Sequence, residues 1–428
     1  MKFHIHTLGC KVNAYESRVM ADILKNAGYI ESDEAVDLDI SVINTCSVTN
    51  SADSKSAKII RSQIRKNKDA IIIVTGCFSQ SSVDIVKSID GVNIILGNKF
   101  KTELIPLIEK FRKTKEQIIK VENIMKTDFE SMKLNNFNRT RAFVKIQDGC
   151  NNFCSFCIIP YVRGNVRSKK REEVLSEIRE LTNNGHKEIV LTGIHTGNYG
   201  IEFENYKFSD LLADVLKIRG LERLRISSIE MNEIDDDVLK LIKENKILVD
   251  HMHIPLQSGC DKILKDMNRK YNLKDFKNKI NELRKIRPNV SITTDVIVGF
   301  PGESEKEFNE TIETINDLNF SKLHVFPYSK RKGTVAAEMG NHVDERVKKE
   351  RVSKLLEISK DLELKYMEKF LNSEIIFIPE KNTDKFIVGH SGNYLSIKTD
   401  GNKEDLGKQI KVKIEKIEYP YLIGKRKN

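Results

Sequence analysis

Phe143-Val144-Lys145-Ile146-Gln147-Asp148-Gly149-Cys150-Asn151-Asn152-Phe153-Cys154-Ser155-Phe156-Cys157 places three cysteines in a C-x3-C-x2-C spacing directly behind a short β-prone run. Thiols this close in a chain that lacks a secretory pattern read as metal ligands or reactive groups, not as a disulfide framework. Zinc is one candidate, but a structural zinc site takes four ligands, and no fourth cysteine or obvious histidine stands nearby. Three thiolates suit a [4Fe–4S] cluster, which normally takes four. One iron then keeps an open position for an exogenous molecule. A simple electron carrier would fill that corner with cysteine and would need no large fold around it.

Downstream of this loop, β-prone runs recur at 188–191, 223–227, 251–255, 292–298 and 322–326, with helical patterns between them. The segment 173–184 shows Val174, Ile178 and Leu181 at i, i+4 and i+7 and stops at Gly185; 274–286 and 305–318 behave alike. With the run at 143–147, six βα units predict a barrel-like parallel sheet whose active site lies at the strands' C-terminal ends. Upstream, the runs 3–7, 39–43, 70–75 and 92–96 alternate with helices, the first over 15–26, and predict a small doubly wound α/β domain. Cys10, Cys46 and Cys77 each follow one of its strands. In a parallel sheet all strand C-termini share one edge, so the three thiols are expected to converge there; separate packing is the alternative for each. The polar stretch 112–140 reads as a linker and 343–371 as a long charged helix. Beyond it, short strands without helices predict a small antiparallel β-barrel. The expected domains are therefore 1–111, 141–342 and 372–428.

Lysine and arginine number 72 against 62 aspartate and glutamate, a net charge of +10. The excess favours a polyanionic partner such as nucleic acid. From Lys408 to Asn428 seven basic residues face two acidic ones, interleaved with Tyr419 and Tyr421. No stretch is apolar enough to span a membrane and the start shows no signal-peptide pattern, so a cytoplasmic protein is expected. With no heptad pattern, monomer is the default.

The C-x3-C-x2-C run on a partial βα barrel resembles the radical S-adenosylmethionine superfamily, and the upstream Cys10, Cys46 and Cys77 narrow the resemblance to the methylthiotransferases. Leu8-Gly9-Cys10-Lys11-Val12-Asn13-Ala14-Tyr15-Glu16, with Lys145–Asn152 and Thr192-Gly193-Ile194-His195, is similar to the bacterial branch acting on N6-threonylcarbamoyladenosine in tRNA. The resemblance implies two [4Fe–4S] clusters, one on Cys150, Cys154 and Cys157 and an auxiliary one on Cys10, Cys46 and Cys77. It also implies S-adenosylmethionine as cofactor, an RNA-binding TRAM-like barrel at the C-terminus and an external one-electron donor such as a flavodoxin or ferredoxin. The implied reaction converts the threonylcarbamoyl adenosine 3′ of the anticodon, position 37, to its 2-methylthio form. A single-stranded anticodon loop can splay such a base into a pocket.

Candidate cofactor contacts follow the barrel strands: Gly193, Ser228, Glu230, Gln257, Arg269 and Asp295. Glu230 offers a carboxylate for ribose hydroxyls or an ammonium, and Arg269 a cation for a carboxylate; a cap, loop or ion-pair role is the alternative for each. No obligatory general acid or base is expected, since the cofactors carry the hard chemistry. Cys260 reads as a packed thiol, and His251 with His253 as a polar pair lining the barrel. The basic run Arg163, Arg167, Lys169, Lys170 and Arg171 is placed either to stay solvated or to contact phosphate. Rival readings are a methylthiotransferase for isopentenyladenosine tRNA or a ribosomal-protein aspartate and, from another class, a non-catalytic iron–sulfur RNA-binding or electron-transfer protein.

Overall fold

The computed structural model describes residues 1–134, 137, 140–383 and 385–426. Four residues of the stretch read as a linker (135, 136, 138 and 139) and the last two of the basic C-terminal stretch lie outside the described residues.

The N-terminal sheet is parallel, with strands β1 (Lys2–Thr7), β2 (Ile30–Glu31), β3 (Ile40–Thr45), β4 (Ile71–Gly76), β5 (Ile94–Leu96) and β6 (Ile118–Lys120) in the order β2-β1-β3-β4-β5-β6. Both faces are covered. Met20, Ala21 and Leu24 pack with Leu104, Ile108 and Phe111 on one face; Ile60, Phe78 and Val86 cover the other. Burial on both faces explains the continuous apolar runs of β3 and β4. Two strands, β2 and β6, escape a reading of the sequence because each is two or three residues long. Strand β6 falls inside the stretch read as a linker, where it pairs with β5 from Ile94↔Ile118 to Leu96↔Lys120.

The central barrel is built from β7 (Arg141–Lys145), then a small antiparallel pair β8 (Gln147–Asp148) and β9 (Arg167–Ser168), then β10 (Glu188–Thr192), β11 (Arg223–Ile226), β12 (His251–His253), β13 (Ser291–Val298) and β14 (Lys322–Pro327). Its six parallel strands form two hydrogen-bonded halves, β11-β10-β7 and β12-β13-β14, linked by the bridge Leu224↔Leu248.

Helix α1 (Lys11–Asn26) belongs to two cores. One face packs on its own sheet, while Tyr15 and Val19 enter the barrel's core with Val144, Ile178 and Leu191. On the opposite side of the domain, Arg331 reaches Asp53 at 2.7 Å and Ser47 at 2.9 Å, and Ser329 accepts from the backbone N–H of Asn50 at 3.0 Å. The N-terminal domain thereby spans the gap between the first and last barrel strands.

After the helix Glu345–Glu368 the chain closes into a five-stranded barrel: β15 (Glu374–Asn382), β16 (Phe386–Ser391), β17 (Ser396–Asp400), β18 (Ile410–Glu418) and β19 (Tyr421–Arg426). The basic C-terminal stretch is thus largely two barrel strands, its Val412, Ile414 and Leu422 pointing inward and its lysines outward. Arg223 and Arg225 sew this barrel to the N-terminal ends of the central strands by donating to the carbonyls of Ile376, His390, Ser391 and Gly392 at 2.9–3.5 Å.

Candidate two-centre active site

The register of the N-terminal sheet brings its cysteines together. Asn44 pairs with Thr7 on one side and Thr75 on the other. Cys46 and Cys77 each lie two residues beyond that row, and Cys10 three, as the N-cap residue of α1. A Cβ added to Gly9 would lie 3.0 Å from Cys46 Sγ, so only glycine lets the first loop approach the second cysteine this closely. Gly76, at φ +99°, makes the matching tight turn before Cys77. Burial raises the thiols of Cys10 and Cys46, and the neighbouring Cys77 adds to both shifts.

The second trio occupies the loop after β8. Gly149, at φ +77°, starts it; an added Cβ would fall 1.9 Å from the Asn165 carbonyl oxygen. Arg269 Nη1 lies 3.3 Å from Cys154 Sγ, and Cys150 Sγ is 3.6 Å from His195 Nδ1. In the auxiliary site, Asn98 Nδ2 lies 3.6 Å from Cys77 Sγ. Arg269 and Asn98 thus aim N–H groups at sulfur, as hydrogen bonds to cluster sulfurs require. Among the described residues no three His, Cys, Asp or Glu side chains converge as a single ion requires. Each trio would supply three of the four ligands that a [4Fe–4S] cluster takes. Burial pushes Cys46 up to about 11 and Cys157 up to about 12, so each thiol must give up a proton when a cluster forms.

A cavity of about 210 Å³ opens beside Cys154, lined by Asn152, His195, Asn198, Glu230, Arg269 and Tyr271 among others. Of the contacts read from sequence, Glu230 and Arg269 meet here as an ion pair, and Arg269 also stacks on Tyr271. Gly193 lies alongside, its missing Cβ leaving room for Gln147. Ser228 is half-buried just before Glu230. Gln257 bridges to β13 through its backbone, and Asp295 pairs with His253 inside the barrel at 3.3 Å; neither lines this cavity. Reading the sequence missed His195 as a site residue. Burial works against its charge, but Cys150 and Glu233 raise its imidazole to about 10.

Between the two trios lies a buried charge network. Glu16 Oε1 accepts from Arg163 at 2.6 Å and Lys145 at 2.7 Å, and Lys101 stands 3.4 Å from Oε2. Arg163 also donates to Asn13 Oδ1 at 2.5 Å and approaches Asp148 at 3.3 Å. This corrects the reading of the basic run as solvated or phosphate-binding. Arg163 and Lys169 are fully buried, Lys169 pairs with Glu177 at 2.5 Å, Arg167 binds Thr127, and Arg171 reaches Asp214 at 2.8 Å. Lys170 stays exposed, and Arg171 keeps its side chain partly in solvent while paired with Asp214. Cys260 is a packed thiol, buried with Ile263 and Phe300; His251 and His253 line the barrel, sharing Thr293 Oγ1 at 3.1 and 2.9 Å.

Residues 144–315 match the radical SAM superfamily, and residues 2–97 match a family described as uncharacterized protein family UPF0004. The threonylcarbamoyladenosine tRNA methylthiotransferase MtaB of Bacillus subtilis is 46% identical over 98% of this chain and 95% of its own length. Its namesake in Thermotoga maritima is 37% identical over 96% of this chain and 94% of its own. The tRNA-2-methylthio-N(6)-dimethylallyladenosine synthase of Clostridium tetani is also 37% identical, over 97% and 94%. Among solved structures, the radical S-adenosylmethionine methyltransferase TsrM of Kitasatospora setae superposes with a TM-score of 0.58 at 13% identity, covering 78% of this chain and 76% of that one. That likeness shows a shared fold.

Proposed function

Because the chain belongs to the radical S-adenosylmethionine tRNA methylthiotransferase family, we propose that it adds a methylthio group to C2 of N6-threonylcarbamoyladenosine at position 37 of tRNA. The observation that carries this reading is the pair of cysteine trios on separate domains, held at facing edges by Arg163 and Glu16. A reaction that needs a radical and a sulfur donor at one carbon requires two such centres in register. When bound, the two [4Fe–4S] clusters and S-adenosylmethionine supply the electron, the 5′-deoxyadenosyl radical and the methylthio group.

The chain's own residues position these partners. Cys150, Cys154 and Cys157 hold the cluster that leaves one iron open, and Cys10, Cys46 and Cys77 hold the auxiliary one. Arg269 and Glu230 form an adjacent cation and carboxylate, matched to the carboxylate and ammonium or ribose of S-adenosylmethionine in the 210 Å³ cavity. Gly193 keeps the backbone low where the cofactor passes. Ser228 sits just before Glu230, whereas Gln257 and Asp295 lie outside this cavity. The lysine-bearing outer face of the C-terminal barrel suits the tRNA backbone. An external flavodoxin or ferredoxin provides the electron, and the protein acts as a monomer in the cytoplasm. No helix among the described residues is long and apolar enough to cross a membrane.

The test is anaerobic reconstitution with iron and sulfide, followed by dithionite, S-adenosylmethionine and tRNA carrying threonylcarbamoyladenosine. Nucleoside mass spectrometry should show one methylthio group gained on that nucleoside. Methylthiolation of dimethylallyladenosine instead would move the protein to the other tRNA branch; 5′-deoxyadenosine without either product would leave the radical chemistry and remove the substrate.

A further inference from the structure

The lumen of the central barrel is polar where a barrel of this kind is usually packed with branched apolar side chains. Alternation along the strands turns Arg225, His253, Asp295 and His324 inward, and Tyr394 from the C-terminal barrel closes one end. Tyr394 stacks on His251 at 4.8 Å and on His390 at 4.7 Å, with the guanidinium carbons of Arg225 and Arg141 at 4.9 and 5.2 Å from its ring centre. Most cations here have a carboxylate: Arg225 has Glu188 at 2.8 Å and Arg141 has Glu380 at 3.0 Å. Even so, Arg225 Nη1 and His251 Nδ1 are buried without a hydrogen-bond partner among the described residues. Into this space comes Lys11 from the N-terminal domain. It is exposed and forms no ion pair or hydrogen bond among the described residues, and it interacts through space with Tyr394, Arg141, Arg225 and Asp295.

Lys11 directly follows Cys10, a ligand of the centre expected to deliver sulfur. In adenine, C2 and the carbon bearing N6 are separated by one ring nitrogen, so whatever holds an N6 substituent must lie a few bonds from the carbon attacked. A threonylcarbamoyl group carries a carboxylate and a hydroxyl at its end, whereas a dimethylallyl group carries neither. We propose that the barrel lumen receives the N6 substituent of the target adenosine and that Lys11, backed by Arg225, binds its carboxylate. This deepens the threonylcarbamoyladenosine reading and rests on it. Three domains thereby contribute to one subsite, and an apolar substituent would leave the lysine without a counter-ion and Arg225 Nη1 without an acceptor.

The experiment is equilibrium binding by fluorescence anisotropy, using the reconstituted full chain and two anticodon stem-loops that differ only in the threonylcarbamoyl group. Wild-type protein should prefer the modified loop. Lys11→Met should lose roughly tenfold in affinity for that loop, the order of one charge-assisted hydrogen bond, and none for the unmodified one. Lys11→Arg should restore the preference. Arg225→Gln, which leaves the cysteine loop untouched but loosens the seam to the C-terminal barrel, should weaken binding of both loops and of the modified one more. Equal loss on both loops would assign Lys11 to backbone phosphate and overturn the proposal, as would unchanged discrimination in both variants. If wild type methylthiolates the threonylcarbamoyl loop while these variants discriminate normally, the reaction stands and the subsite falls. If wild type modifies only a dimethylallyl loop, the reaction reading falls and the subsite with it.

Discussion

Arg163 Nη1 lies 2.6 Å from Glu16 Oε1 with both side chains fully buried, so the helix after the radical-site loop is bolted to the helix after the first auxiliary cysteine. The contact is between domains and close to both centres. Removing one partner of a buried pair strands the other charge, typically at a cost of about 3–5 kcal/mol. Arg163→Met should therefore lower the denaturant midpoint and reduce iron retained by the auxiliary site, with Lys145 and Lys101 left to share the Glu16 charge; Glu16→Gln should lower the midpoint further, because it strands Lys101 as well as Arg163. An unchanged midpoint in either variant would show that the pair does not hold the domains.

The two trios should be separable by substitution. Cys154→Ala is expected to abolish reductive cleavage of S-adenosylmethionine while auxiliary iron remains visible by spectroscopy. Cys46→Ala should keep some uncoupled cleavage and yield no methylthiolated nucleoside; normal product from it would remove Cys46 from the ligand set.

Beside Cys154, Arg269 should act on cofactor affinity. Arg269→Ala is expected to raise the KM for S-adenosylmethionine by about tenfold or more, read from 5′-deoxyadenosine formation, as loss of a charge-assisted contact predicts. An unaltered KM would leave Arg269 as a partner of Glu230 only.

Gly149→Ala tests the turn that presents Cys150. The added methyl meets the Asn165 carbonyl oxygen, and the backbone is left-handed. Iron per chain should fall to about half of wild type, the auxiliary cluster persisting. Full iron content would mean that the loop re-forms without the glycine.

Acid should weaken the cation cluster behind that contact. Burial opposes the charged form of Asp148, but Lys145, Arg163 and Arg167 lower its carboxyl from 3.8 to about 2. A depressed carboxylate pKa stabilises the fold above the unfolded value, and that share is lost as pH falls from about 4 through about 2. The contribution is on the order of 2 kcal/mol. Stability measured against pH should drop across that window in wild type and drop less in Asp148→Asn.

Much of this was visible in the chain itself, for physical reasons. Strands buried on both faces, such as Ile71–Gly76, must be apolar throughout, and cysteines placed just after parallel strands share an edge whatever their separation in sequence. The short edge strand Ile118–Lys120 needs only three residues of backbone pairing, and its mixed composition hides it. The last strand, Tyr421–Arg426, is masked by the outward Lys425 and Arg426. The basic run misled for a different reason. Glu16 precedes Arg163 by 147 residues, so a counter-ion that only the folded chain supplies leaves no local trace. The same holds for Lys11, whose surroundings come from two other domains.

Helix α1 lends one face to its own sheet and another to the barrel, and its buried Glu16 has its cations on Lys101, Lys145 and Arg163. A ribosome delivers these parts in order. The first three cysteines leave the exit tunnel long before Arg163 exists, with an uncompensated carboxylate and the bare flank of Tyr15 and Val19 still awaiting cover. The domain that carries those three cysteines therefore completes its buried contacts only after synthesis has passed the barrel's opening strands.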